Sequence, residues 1–590
     1  MALTQVRTSS AAAQTPPRRF WRADLAVVGI ALLIAVYATF GLWAAPLGRA
    51  IDVNSGDQAF FEWLLSFGAH ALTHGENPLY TTWLNAPDAV NLAVNTSITV
   101  YAVVFAPITL WLGPAVSFVV ILTLNLAATA FCWYRLFHRH LGVGVLPAAI
   151  GGLFCGFAPA MVSHANAHLN WTAQWLVPLM IARVIVMVHR RRAVWDGIVL
   201  GVLIACCFSI AAEQLFFAAI AGVVFVLFYR PARTLVPPAL RGLAVAAGVA
   251  AVLLAYPLWL HFFGPQSFGG TGFDHRVHNE DLLAYAAYPE RSVAGAIGLH
   301  TKLAPNPTEE NSFFGLPLLA LAVVAYFALR RLVDRALLRA LAGTGLIFAV
   351  LSLGPQLRFG GSLTSVPGPE WLVDKLPIFD AALPSRLALV VAPVIGTLLA
   401  LLAADVTRLR GPRWAWITAF ALALVPLFPT PLLVRDRPAV PEFISSGDWQ
   451  HYVRPGGVLV PVPIPNDLVP DGQRWQAEAL ASGGPSFKLP AGFFLGPGGP
   501  NGTGRIGPVP RPTQTLLEDV TKTGYVPPIT DAERAYVRDD LKYWGAQAVV
   551  LADGVQGAHW ETHPAALLEV MKQLLGEPQR VDDVWVWPAP

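Results

Sequence analysis

Apolar runs of about 20 residues recur along this chain from Ala23 to Leu433, and few charged residues interrupt them. A helix of about 20 residues crosses the roughly 30 Å hydrocarbon core of a bilayer, so each such run predicts a membrane span. The composition agrees, because only 13% of the 590 residues are charged, against about 25% in soluble domains. The sequence therefore predicts an integral membrane protein in contact with membrane lipids.

Basic residues orient these spans. The first run follows Arg18, Arg19 and Arg22, so the positive-inside rule places residues 1–22 in the cytoplasm. This run has no convincing cleavage site, and we expect a retained first helix instead of a signal peptide. The basic clusters at 138–140 and 189–192 fall inside only if the short segment Ile98–Leu112 lies in the interface or re-enters instead of crossing.

The predicted fold is mainly α: a polytopic membrane helix bundle of about 11 transmembrane helices with a C-terminal extracytoplasmic α/β domain. Residues 23–433 form the membrane domain, with outer loops at 46–114 and 264–313, and residues 434–590 form the outer domain. The predicted spans are Ala23–Ala45, Ala115–Phe137, Val143–Ser163, Thr172–Val188, Val194–Ala211, Gln214–Tyr229, Leu240–Phe263, Phe314–Leu329, Ala336–Leu353, Arg386–Ala404 and Trp414–Leu433.

The outer domain alternates strand and helix patterns around a passage rich in Gly and Pro at 483–512. Its predicted strands are Gly457–Val462, Ala546–Leu551 and Val581–Trp587, and its predicted helices are Asp531–Trp544 and Pro564–Leu575. Thr530 has the character of a helix cap for the first of these helices.

Asp57 is the leading candidate for chemistry. It lies in the polar segment Ile51–Ser97, directly after the first predicted span. A carboxylate at the outer end of a membrane helix, partly shielded from water, can act as a base or hold a divalent cation. A solvated loop acid or a helix cap is the alternative. Glu62 lies in the same segment and ranks below Asp57.

His164 and His168 form a second candidate on a short outer turn. They are four residues apart, so a continued helix places both imidazoles on one face, where they could bind substrate. Histidines that merely lie at the interface are the alternative. No third ligand lies nearby in the sequence, and no metal site is assigned.

Four further residues are candidate substrate contacts. Glu213 lies between two apolar runs, either as a functional intramembrane acid or solvated in a short outer turn. Arg386 begins a span on the outer side, where its guanidinium could clamp a phosphate or simply snorkel to the interface. His275 and His278 belong to a dense group of ionisable residues in the long outer loop, which a solvated connector could also carry.

The order of these parts resembles the GT-C superfamily of membrane glycosyltransferases, which use polyprenyl-phosphate sugars. An acid follows the first helix (Gly56-Asp57), and a long outer loop ends in an apolar segment that does not cross (Thr96–Leu112). A helix ending in basic residues on the inner side (Arg135 to Arg139) and a helix ending in Phe157-Ala158-Pro159 follow.

This resemblance implies a sugar transfer from a polyprenyl-phosphate donor to a glycan, lipid or protein acceptor of the bacterial cell envelope, at the outer face of the plasma membrane. Asp57 corresponds to the usual base or metal-binding acid, and Arg386 would stabilise the leaving phosphate. Many members have a second acid beside the first, whereas this chain has Gln58, so a divalent cation such as Mg²⁺ or Mn²⁺ is left open as a cofactor.

Two other functions stay open on the sequence alone. One is a non-catalytic membrane protein that binds glycan or helps to assemble the envelope, and the other is a transporter of lipid-linked intermediates. No inverted repeat is visible, and few polar residues besides Glu213 lie deep in the spans, which disfavours transport. The net charge of +3 comes without a basic patch, so no nucleic-acid partner is expected.

Overall fold

The computed structural model describes residues 20–189, 192–376, 378–409, 411–557 and 561–589. Most of the predicted cytoplasmic tail, up to residue 19, and the basic positions 190 and 191 lie outside the described residues. Within them the chain is mainly helical.

Helices follow the apolar runs through the first three quarters of the chain. In order they are Phe20–Ala38, Phe40–Ala44, Ser55–His74, Thr99–Val104, Ala106–Leu112, Pro114–His140, Val145–Phe157, Pro159–His164, Leu176–His189, Ala193–Tyr229, Val236–Phe263, Val293–Ala296, Leu316–Leu329, Arg335–Leu351, Val391–Asp405 and Arg413–Leu424. Strands in this part are short: Arg49–Ile51, Tyr80–Thr81, Val90–Asn91, Gln356–Phe359 and Ser362–Pro367.

Each predicted span contains helix in the described part of the chain. Five helices are long and apolar enough to cross a bilayer, and four shorter apolar helices of 10 to 17 residues accompany them. The long ones are Trp21–Ala38, Pro114–His140, Ala193–Tyr229, Arg233–Phe263 and Pro384–Arg408. The chain is a membrane protein, and the full count of eleven spans stays a prediction.

The helical stretch Ala193–Tyr229 agrees with the prediction of two spans. Its 37 residues are interrupted by non-helical dihedral angles at Ala211, the residue at which the first of the two predicted spans ends. Glu213 therefore lies in helix just past this break, not in a solvated loop. A straight helix of this length would measure about 55 Å, well beyond the roughly 30 Å core, so the break divides it into two parts of membrane-spanning length.

The segment Ile98–Leu112 folds as two short helices, Thr99–Val104 and Ala106–Leu112. Each is about 10 Å long, far shorter than the hydrocarbon core. Their length agrees with the prediction that this segment does not cross. They pack on the helix Ser55–His74, where a β-carbon on Gly68 would overlap Ala102.

The chain divides into two compact units. Unit 1 comprises residues 1–40, 122–254 and 273–432, and unit 2 comprises 41–121, 255–272 and 433–590. The core of unit 1 is built from membrane helices and includes Trp133, Phe314 and Leu399. Unit 2 joins residues 41–121 to the C-terminal residues, so it is larger than the predicted domain 434–590.

Buried polar contacts explain this larger unit. The helix Ser55–His74 packs against the helix Asp471–Ala481, and Trp63 Nε1 donates to Gln476 Oε1 at 2.7 Å. After this helix, the Ala86 N–H donates to the Leu489 carbonyl at 2.9 Å. Such contacts join residues that are distant in sequence, which local patterns do not reveal.

The C-terminal part of unit 2 contains a four-stranded sheet. Its strand order is Gln579–Val581, Val584–Pro588, Ala546–Ala552 and Val458–Val462, and only the last two neighbours are parallel. The other elements from residue 434 onward are the strands Val434–Asp436, Leu495–Pro497 and Gly504–Ile506 and the helices Glu442–Ser445, Asp471–Ala481, Pro512–Thr523, Asp531–Trp544 and Pro564–Leu575.

The predicted helices Asp531–Trp544 and Pro564–Leu575 are confirmed with their bounds. The last predicted strand is instead a hairpin that turns at Asp582, whose φ is 47°. Leu567, Met571 and Trp544 pack on one face of the sheet and complete its core.

Candidate functional site

Asp57 lies in the first turn of the helix Ser55–His74. Asn54 caps this helix: its Oδ1 accepts from the Asp57 N–H at 3.4 Å, and its Nδ2 donates to Asp57 Oδ2 at 2.7 Å. An acid in this position is stabilised by the backbone N–H groups and dipole of the helix. The cap is therefore Asn54 and not Asp57, whose half-buried carboxylate is held in one place by the Asn54 amide.

A second acid, Asp467, lies beside the start of this helix. A β-carbon on Gly56 would overlap the backbone carbonyl of Asp467, so the two chain segments touch at the residue next to Asp57. Burial, and then the negative charge of Asp57, raise the pKa of Asp467. Within unit 2, a carboxylate from a distant part of the sequence is thus close enough to Asp57 for the two charges to interact.

Glu62 has a partner within the protein. Arg437 Nη1 donates to both of its carboxylate oxygens at 2.9 and 3.0 Å, and Gln58 Nε2 donates at 2.8 Å. The side chains of Glu62 and Arg437 are only 1% and 5% exposed. This pair anchors the helix Ser55–His74 inside unit 2, and a contact between Glu62 and substrate stays a prediction.

In unit 1, His164 and His168 lie side by side, as their spacing predicts. The helix Pro159–His164 ends at the first of them, but the His168 N–H still donates to the His164 carbonyl at 2.9 Å. The two Nδ1 atoms are 2.9 Å apart. His164 is fully buried, and this burial holds the pKa of its imidazole well below the usual range.

Glu309, from the long loop before the helix Leu316–Leu329, completes this cluster. Ser163 brings the loop to the histidines, because its Oγ donates to the Pro307 carbonyl at 3.0 Å and accepts from the Glu310 N–H at 2.8 Å. One ligand atom each from Glu309, His164 and His168 lies within 4.8 Å of the other two. These three side chains have the chemistry and spacing of a metal site.

Arg386 joins Glu309 to Glu213. Its Nε and Nη2 donate to Glu309 Oε1 at 2.9 and 2.6 Å, and its Nη1 donates to Glu213 Oε2 at 3.0 Å. The guanidinium also lies over the Trp171 ring, 5.3 Å from its centroid. Arg386 is thus paired with two carboxylates, and its contact with a phosphate stays a prediction.

The predicted loop histidines take different places. His278 lies near enough to Glu309 and Arg386 for their charges to act on its pKa, although burial is the larger effect and lowers it. His275 Nδ1 instead lies 3.3 Å from Glu370 Oε1. The structure therefore groups His164, His168, Glu213, Arg386 and His278, and His275 belongs to a separate ion pair.

Buried acids dominate the electrostatics of this cluster. Burial raises the pKa of Glu280 well above its usual range and that of Glu310 to about 8. Burial also disfavours the ionised form of Glu309, but Arg386 together with His164 and His168 outweighs it and lowers the pKa of Glu309. One ionised carboxylate is therefore fixed among acids that resist ionisation.

Sequence reasoning missed Glu309, Asp467 and Arg437. Glu309 stands in the acidic pair Glu309-Glu310 before an apolar run, which is a weak signal. Asp467 and Arg437 lie in a region where polar residues are ordinary. Each becomes recognisable only through the contacts that the fold makes.

The fold can be compared with solved structures. The arabinofuranosyltransferase AftD from Mycobacteria superposes with a TM-score of 0.58 at 16% identity, over 96% of this chain and 41% of that chain. This chain thus spans about two fifths of the AftD length. The likeness confirms the GT-C fold.

A second solved structure superposes less well, and one family model matches the sequence. The oligosaccharyltransferase AglB from Archaeoglobus fulgidus, solved with an inhibitory peptide and a dolichol-phosphate, has a TM-score of 0.47 at 11% identity, over 91% of this chain and 70% of that chain. No curated protein sequence matches the chain. One family model matches residues 26–426, more than half of the chain, and its description is a domain of unknown function, DUF6311. The chain belongs to the DUF6311 family.

Proposed function

We propose that this protein is a glycosyltransferase of the plasma membrane. It moves a sugar from a polyprenyl-phosphate donor to a glycan, lipid or protein acceptor of the bacterial cell envelope, on the outer face. The GT-C fold, shared with a sugar transferase, supports transfer of a glycosyl group. The observation that carries the proposal is Asp57, whose carboxylate is oriented in the first turn of the helix Ser55–His74.

Asp57 acts as the base in the proposed reaction. It takes the proton from an acceptor hydroxyl, whose oxygen attacks the anomeric carbon of the sugar while the bond from that carbon to the phosphate oxygen breaks. The bonding electrons leave with the polyprenyl phosphate. Proton transfer by a positioned side chain contributes about 10²- to 10⁴-fold to a rate.

Asp467 supports this assignment. Like charges that lie close together disfavour each other's ionisation, and the charge of Asp57 is one of the causes that raise the pKa of Asp467. Asp467 is therefore a second acid close enough to act electrostatically on the proposed base.

Further residues predicted to contact substrate lie in unit 1. Arg386 stays the proposed contact for the donor phosphate, because its hydrogen bonds to Glu309 and Glu213 use three of the five N–H groups of a guanidinium. His164, His168, Glu213, His275 and His278 stay proposed substrate contacts. A divalent cation, Mg²⁺ or Mn²⁺, is a proposed cofactor of the transfer.

Sugar transfer in membranes tests the proposal. Membranes containing the full-length protein would be given a panel of labelled polyprenyl-phosphate sugars, beginning with arabinofuranose, and envelope acceptors. We expect transfer from one donor, and we expect Asp57→Asn to abolish it at unchanged expression. Asp52→Asn is the matched control, since Asp52 lies in the same segment with a half-exposed side chain. Unimpaired transfer by Asp57→Asn would sink the assignment.

A further inference from the structure

The cluster of His164, His168 and Glu309 holds more than the proposed transfer requires. Two imidazoles and one carboxylate converge within 4.8 Å, and His164 and Glu309 are buried. All three belong to unit 1. Solvated loop residues have no physical reason to gather three metal-binding groups in a buried place.

We propose that His164, His168 and Glu309 bind one divalent transition-metal ion of the zinc class. Two imidazole nitrogens and a carboxylate oxygen are a ligand set of Zn²⁺, with a fourth position left for water or another ligand. Imidazole favours Zn²⁺, Ni²⁺ or Cu²⁺ over Mg²⁺ or Ca²⁺, which prefer oxygen. This site goes beyond the proposed transfer, and it differs from the metal position that the resemblance implies at Asp57.

The distances fit such an ion after a small adjustment. With bonds of about 2.0–2.1 Å, tetrahedral zinc ligands lie roughly 3.3 Å from one another. The two Nδ1 atoms, now 2.9 Å apart, need to open by only a few tenths of an ångström. The half-buried His168 follows the end of a helix, so its ring can move more easily than that of His164.

The surrounding charges favour a cation. Glu309 and Glu213 share the single guanidinium of Arg386, which leaves one negative charge when both acids are ionised. A divalent ion would balance this excess, whereas an anion would increase it.

Second contacts already orient the carboxylate ligand. Arg386 donates to Glu309 Oε1, while Asn311 Nδ2 and Ser385 Oγ donate to Oε2 at 3.0 and 3.2 Å. Metal-binding carboxylates and imidazoles are commonly fixed in this way by a second layer of hydrogen bonds. The cluster therefore has three ligand side chains, and hydrogen bonds hold the carboxylate of Glu309 in place.

The ring of His164 is placed so that its Nδ1 faces His168. On the other side of the ring Asn311 lies close enough to hydrogen-bond the imidazole. Metal-binding imidazoles are commonly oriented in this way by a contact at the second ring nitrogen.

Metal binding by the full-length protein tests the proposal. The protein, purified in detergent and treated with EDTA, would be titrated with Co²⁺ and followed by visible absorption, and bound Zn²⁺ would be counted by elemental analysis. We expect about one ion per chain and Co²⁺ absorption typical of four-coordinate nitrogen and oxygen ligands. His168→Ala and Glu309→Gln should each weaken binding at least about tenfold.

His451→Ala is the control, since this histidine is 79% exposed in unit 2. It should bind the metal like the wild type. Gel filtration and thermal unfolding in EDTA show whether each variant folds. If a variant does not fold, the rise in the wild-type unfolding temperature on adding Zn²⁺ gives a second measurement.

The binding assay needs no sugar donor, so its failure is distinct from failure of the transferase proposal. No saturable binding by the wild type, or equal binding by both folded ligand variants, would overturn the site.

Discussion

Gly56 and Asp467 are in contact so close that a β-carbon on the glycine would overlap the backbone carbonyl of the aspartate. The contact joins the start of the helix that carries Asp57 to a segment of the C-terminal sequence within the same compact unit. It fixes the spacing of the proposed base and its neighbouring acid. Both stability and activity should therefore depend on this one small residue.

We expect Gly56→Ala to lower the free energy of unfolding by about 1–3 kcal/mol, because extra volume in a packed contact forces the backbone to move. Sugar transfer should fall as well, since Asp57 is the next residue. Gly48→Ala is the control, because its nearest new contact would be an ordinary 3.9 Å. Thermal unfolding of both purified variants measures the difference, and equal unfolding temperatures would contradict the contact.

The buried pair of Glu62 and Arg437 leads to a second prediction. Arg437→Ala leaves the carboxylate of Glu62 buried without its cation, which typically costs about 3–5 kcal/mol. Arg49→Ala removes a surface partner of Asp436, whose side chain is 89% exposed, and should cost less than about 1 kcal/mol. Comparable losses in thermal unfolding for the two variants would show that the Glu62 pair does not anchor unit 2.

Asp467 should make stability depend on pH. Its pKa is higher in the folded than in the unfolded protein, because burial and the charge of Asp57 disfavour its ionised form. The folded protein therefore loses stability as the pH rises from the unfolded pKa of about 3.9 through the raised one. We expect Asp467→Asn to unfold at a higher temperature than the wild type at pH 7, with the difference vanishing near pH 4.

The same measurement in Asp57→Asn separates the two causes. Without the charge at position 57, the gain from Asp467→Asn should shrink, because burial alone then opposes ionisation. A wild type and an Asp467→Asn variant that unfold alike at every pH would rule out the interaction between the two acids.

In unit 1, Gly152 allows two membrane helices to approach closely. A β-carbon there would lie 2.6 Å from the Tyr134 nitrogen and 2.7 Å from the Ala130 carbonyl oxygen. We expect Gly152→Ala to destabilise the protein by about 1–3 kcal/mol. Gly29→Ala has open space around it and should be neutral or stabilising by up to about 1 kcal/mol. Thermal unfolding in detergent compares them, and a harmless Gly152→Ala would argue against this packing.

Local patterns predicted much of the fold. Apolar runs located the helices, and the helix bounds Asp531–Trp544 and Pro564–Leu575 are those expected. The helices Asp471–Ala481 and Pro512–Thr523 were missed, the second beside a passage rich in Gly and Pro. The break at Ala211 lies where a predicted span ends, whereas the sequence left open whether Glu213 lies in helix or in a solvated turn.

The candidate site was predictable only in its local half. The spacing of His164 and His168 indicated adjacent rings, and the place of Asp57 indicated a special acid. Their partners come from far along the chain. Glu309 lies in the loop 264–313 and reaches the histidines in unit 1. Asp467 contacts the start of the helix Ser55–His74 in unit 2. A single sequence carries no spacing rule for such pairs.

The most direct test of the account is the rate of sugar transfer by the purified, reconstituted full-length protein with Asp57 and with asparagine in its place. With a donor identified among polyprenyl-phosphate sugars, we predict that Asp57→Asn lowers the rate by at least about 100-fold, as expected for loss of a general base. The variant should fold and bind Zn²⁺ like the wild type. A folded Asp57→Asn protein that transfers sugar at the wild-type rate would contradict the central claim.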